Sequence, residues 1–107
     1  MSFAAAANIA LDRIYLRMGD EAVFSPSAGD DLDCQVIVER GSYMAPGGTV
    51  QVADPRITIS YKRSDIDRKV KRGETFTVGA TVYTVLAMSD YPNSWTDLEG
   101  KADVEEA

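Results

Sequence analysis

The chain has 107 residues, one cysteine, no histidine and a formal net charge of −6, which bounds it to one domain with a modest core. Without histidine it lacks the commonest general base and metal ligand near neutral pH, and a single cysteine excludes an intramolecular disulfide or a cysteine metal cluster. No apolar run is long enough for a membrane-spanning helix, and the apolar N-terminus has no basic segment ahead of it, which argues against a secretory signal.

Phe3 to Met18 predicts a helix. Phe3, Ala7, Ala10, Leu11, Ile14 and Met18 recur at three- and four-residue spacing, with Ser2 as N-cap and Gly19 as stop. Ile9, Tyr15 and Leu16 lie off that stripe. This second apolar side suits a partner contact better than the core of a small β-domain. Glu21 to Ser25 reads as a short strand ended by Pro26, and 27–31 as a loop.

Leu32 to Arg40 alternates as a strand, with Leu32, Cys34, Val36 and Val38 on one side. Cys34 fits there as a small buried residue in a reducing compartment. Gly41 to Thr49 carries Gly41, Pro46, Gly47 and Gly48, and predicts a flexible loop. Tyr43 and Met44 are large apolar groups within it, the best candidates for interface anchors. Val50 and Val52 suggest a brief strand broken by Asp54-Pro55.

Arg56 to Lys62 is a second alternating strand, with Ile57, Ile59 and Tyr61 inward and Thr58, Ser60 and Lys62 outward. Ser64 to Asp67 reads as a capping-type turn that tucks in Ile66 and Val70. Thr75 to Val78 and the return strand to Met88 form a hairpin closed by Gly79-Ala80. Residues 89–94 are a turn cluster, and Trp95 to Glu99 a last strand. The acidic residues 101–107 have no pattern and predict a disordered tail after a domain spanning 1–100. The tally is mainly β: a small antiparallel barrel or sandwich of about six strands with an N-terminal helix. Strand phase assigns the core to Val36, Val38, Ile57, Ile59, Phe76, Val78, Tyr83 and Val85.

Between Arg56 and Arg72 stand seven basic residues and two acids, a net +5, so the remainder carries −11. An acidic body with a basic edge can steer copies of itself together. The candidate interface residues are therefore Lys62, Arg63, Arg68, Lys69, Lys71 and Arg72 on one patch and, on the other, Asp30, Asp31 and Asp33, with the acidic segment 97–106 as the alternative. There is no phosphate-binding glycine loop, no zinc cluster and no spacing for a calcium loop. No catalytic, cofactor or metal residue is assigned. A second reading is a β-barrel module that binds single-stranded nucleic acid through Tyr61, Lys62, Arg63, Lys71 and Arg72. Its weak points are the overall acidity and the inward phase of Tyr61.

The run Arg72-Gly73-Glu74-Thr75-Phe76-Thr77-Val78-Gly79, followed by Tyr83 and Val85, resembles the small head–tail joining proteins of long-tailed bacteriophages. The helix, the glycine-rich loop and the strand after Pro55 agree with them in order and length. Similar hairpins also occur in phage tail completion proteins. The resemblance implies a small β-barrel that is monomeric in solution. It implies assembly into a ring of roughly six or twelve copies. That ring sits in the virion neck under a portal or adaptor protein, closes the DNA-filled head and receives a tail terminator or tail tube protein. It further implies passing contact with packaged DNA, no membrane partner, synthesis in the host cytoplasm, and a loop 41–54 that orders on assembly.

Overall fold

The computed structural model describes residues 3–44, 51–89 and 94–107, with side chains described for 6–40, 56–89 and 94–107. Helix α1 (Phe3–Met18) precedes strands β1 (Asp20–Ser25), β2 (Leu32–Met44), β3 (Gln51–Lys62), β4 (Thr75–Val78), β5 (Thr81–Met88) and β6 (Glu99–Glu106). The strands close a barrel in the order β1-β2-β3-β6-β5-β4, antiparallel throughout. Closure pairs both edges of the sheet, which leaves the barrel itself no open edge to aggregate.

Alternation builds the interior. Val36, Ile57, Ile59, Tyr61, Phe76, Tyr83 and Val85 are buried, and Val38 and Val78 pack against them half-buried. Phe76 stacks obliquely on Phe24 and Tyr61, with ring centroids 5.0 and 6.0 Å apart. Ile66 and Val70 descend into this core from the β3–β4 connection. They are set by one hydrogen-bonded turn in which Ile66 N–H donates to Lys62 O at 3.0 Å.

Two glycines are dictated by geometry. Gly79 opens the β4–β5 turn at φ +61°, a left-handed conformation that side chains disfavour. Gly100 in β6 faces Tyr61, and a Cβ there would stand 2.5 Å from the ring.

The structure departs from the sequence reading at four places. Residues 99–106, predicted to be mostly disordered tail, form β6, which pairs with β3 on one side and β5 on the other and so closes the barrel. Gly100, Ala102 and Val104 are its inward residues, too small and too interspersed with acids to announce a strand. Trp95 makes only an isolated bridge to Gly100.

β2 and β3 also run into the span read as loop, pairing Ser42 with Ala53, Tyr43 with Val52 and Met44 with Gln51. Asp54-Pro55 does not break β3. Arg40 pairs with Ile57 and Ser42 with Ala53, so Asp54, Pro55 and Arg56 all lie opposite Gly41 in a bulge. Proline lacks the N–H a ladder needs and is tolerated at such a bulge. The centre of the predicted loop, with Pro46, Gly47 and Gly48, and the turn residues Tyr91 and Pro92 lie outside the described residues.

Finally, α1 is turned away from its predicted stripe. Leu11 and Tyr15 are buried, whereas Ile14 and Met18 are exposed. Tyr15 wins the inner position because its hydroxyl donates to Glu99 at 2.7 Å and its ring lies under the Lys62 ammonium, 5.8 Å away. Periodicity ranks apolar side chains and cannot anticipate a polar tether.

Candidate functional site

One end of the barrel gathers most of the chemistry. The β1–β2 connection (26–31), the β3–β4 connection (63–74) and residues 94–98 before β6 meet there. They are organised by Glu74, whose side chain is only 1% exposed. Its carboxylate accepts from Arg68 Nη2 at 2.8 Å, Arg68 Nη1 at 3.2 Å, Ser27 N–H at 3.0 Å, Ser27 Oγ at 3.4 Å and the N–H of Lys71. Burial pushes this carboxyl up. Arg68 and the Ser27 and Lys71 N–H groups outweigh it and hold the group at about 2. The lock thus ties the basic turn to the acidic β1–β2 loop. Sequence reading gave Glu74 no role. Its only local sign is an acid closing the Arg-Gly-Glu turn just before a strand.

The lock and its neighbours use up much of the predicted basic patch. Lys62 is a correction: it is 8% exposed, donating to Asp12 at 3.2 Å and Gln35 at 3.1 Å, with Asp65 4.0 Å away. It pins α1 to the barrel, and its outward strand phase says nothing of the helix laid over it. Arg63 stacks on Trp95 at 4.4 Å, bonds Asp67 at 2.8 Å and donates to Thr96 O at 2.9 Å. Arg68 serves Glu74, and Lys69 stands 5.7 Å from the Trp95 ring. Lys71 and Arg72 remain exposed, with no side-chain partner among the described residues.

Two of the three acidic-patch residues lie at the same end of the barrel as the basic turn. Asp30 and Asp31 are exposed on the β1–β2 loop, the loop that Ser27 fastens to Glu74, so they share the barrel end with Lys71 and Arg72. Asp33 is exposed at the start of β2, on the rim of an open groove with Cys34 and Gln35. Burial pushes the Cys34 thiol up to about 12, so it stays an unreactive small residue at pH 7. Tyr43 and Met44 lie on the backbone of the β2–β3 ribbon beyond Arg40 and Ile57, where neither strand pairs with a third among the described residues.

The nucleic-acid row is not displayed as a surface. Tyr61 is fully buried and donates to Arg68 O at 3.0 Å. Among the described residues, no group of three His, Cys, Asp or Glu side chains is arranged to hold a metal ion. Among the described residues, no helix is long and apolar enough to cross a membrane. The described residues thus present a charged rim at one end of a closed barrel.

A family model of phage head–tail attachment proteins matches residues 2–97. No curated protein matches the chain. The family match covers α1 through β5 and ends just before the strand that closes the barrel. With nine-tenths of its length inside that match, the chain belongs to the phage head–tail attachment protein family, structural components of the virion's head–tail interface that act with other head and tail proteins.

Proposed function

We propose that this protein is a head completion connector. Copies of it form a closed ring beneath the portal complex once DNA is packaged. The ring seals the filled head and presents the surface on which the tail docks. The observation that carries this reading is the family match over residues 2–97.

Two structural features support it. The charged rim held by Glu74 offers Lys71 and Arg72 to an acidic surface on a neighbour. The ribbon bearing Tyr43 and Met44 extends beyond the third-strand pairing of the barrel, and two-stranded ribbons are marginal until packed against something. Portal and tail proteins are the partners, and Lys71 and Arg72 suit passing contact with packaged DNA.

The test is complementation in vitro. DNA-filled heads from a phage lacking this gene are mixed with purified tails, with and without the protein. Joined particles only when the protein is present are expected; joining without it refutes the proposal. A titration with single-stranded oligonucleotide at two salt concentrations addresses the binding-module reading. Tight binding that collapses with salt would favour that module over the connector.

A further inference from the structure

We propose that the outward side of α1 docks on the β5–β6 face of a second copy. This deepens the ring reading and rests on it. α1 buries Leu11 and Tyr15 against the barrel. At 3.6 residues per turn the opposite side is centred on Arg13, with Ile9 and Leu16 to one flank and Arg17 to the other. Ile9 is 41% and Leu16 72% exposed, and a shallow groove runs between Arg13, Leu16 and Arg17. Neither arginine has a side-chain partner among the described residues. The face is apolar and basic on a protein of net charge −6.

Its complement stands across the barrel. α1 packs on β2, and in the order β1-β2-β3-β6-β5-β4 strand β5 is three steps from β2 either way. On the outside of β5, Val82 is 37% and Leu86 38% exposed. Beside them on β6, Glu105 pairs in register with Thr84, and Asp103 with Ala87. That face is apolar and acidic. Two different patches on opposite sides, matched in apolar content and opposite in charge, make a heterologous contact. Repeated by rotation, such a contact closes a ring. The opposed charges set orientation and encounter rate, and the apolar groups supply the buried area.

The experiment uses the full chain on DNA-filled heads from a phage lacking this gene. Leu16→Cys protein and Leu86→Cys protein are loaded together and treated with a short bismaleimide. Both sites are exposed, so the fold is retained, and buried Cys34 makes the wild type the blank. The mixed 16–86 adduct should exceed either like pair by about tenfold. Arg13→Glu with Arg17→Glu on the Leu16→Cys chain should abolish that excess. Asp103→Lys with Glu105→Lys on the other chain should restore it.

Equal yields of all pairs, or a mixed adduct indifferent to both charge changes, overturns the proposal. If an Arg72→Cys protein cross-links to its neighbour while 16 and 86 do not, copies meet at the charged rim instead. The ring reading then survives without this contact. If the protein does not co-sediment with the heads at all, the ring reading falls and takes the contact with it.

Discussion

Replacing Arg68 with methionine removes two of the donors on Glu74 and leaves a carboxylate that is 1% exposed. Stranding one member of a buried pair costs roughly 3–5 kcal/mol when both partners are enclosed. Arg68 is 40% exposed on its side chain, and the Ser27 and Lys71 N–H groups persist, so the expected loss is about 2 kcal/mol. A pH signature accompanies it. A carboxyl held lower in the folded than in the unfolded chain stabilises the fold above its unfolded value, and that contribution fades as pH falls through the folded value. Glu74 drops from its ordinary 4.5 to about 2, which corresponds to about 3 kcal/mol at neutral pH. The gap between wild type and Arg68→Met should therefore narrow as pH falls from about 5 to about 2. Urea unfolding followed by circular dichroism at several pH values measures both. A variant within about 0.5 kcal/mol of wild type at pH 7, or a gap that does not change with pH, refutes the lock.

Three further outcomes are expected. Gly100→Ala places a Cβ 2.5 Å from the Tyr61 ring and should destabilise by roughly 1–3 kcal/mol in the same assay; a neutral result would mean β6 can shift at no cost. Lys71→Glu with Arg72→Glu should leave the melting temperature near wild type, because both are exposed and neither side chain has a partner among the described residues, while lowering the yield of joined particles. Unchanged joining would remove the basic turn from any contact. Tyr43→Ala with Met44→Ala should likewise spare melting and block joining, and a large drop in melting temperature would assign these residues to the fold instead.

The barrel was legible where alternation was strong. Leu32–Arg40, Arg56–Lys62 and the Gly79 hairpin read correctly because two-residue periodicity and a glycine-first turn act locally. β6 was not legible: Gly100, Ala102 and Val104 are small, their neighbours are charged, and the strand is set by its partners Ile59 and Val85 rather than by its own preference. The charged rim was half legible. Counting charges located the basic span, but counting cannot say that Lys62 reaches Asp12 from 50 positions away, or that Glu74 takes Arg68 out of play. The second apolar side of α1 was visible in sequence. Which side it was depended on the Tyr15–Glu99 bond, a contact between residues 84 apart.

The most direct measurement is a cryo-electron microscopy reconstruction of the neck of assembled virions. A closed ring of this six-stranded barrel between portal and tail is expected, with neighbouring barrels in heterologous contact. A neck in which portal and tail meet without the barrel, in particles that are fully joined, would contradict it.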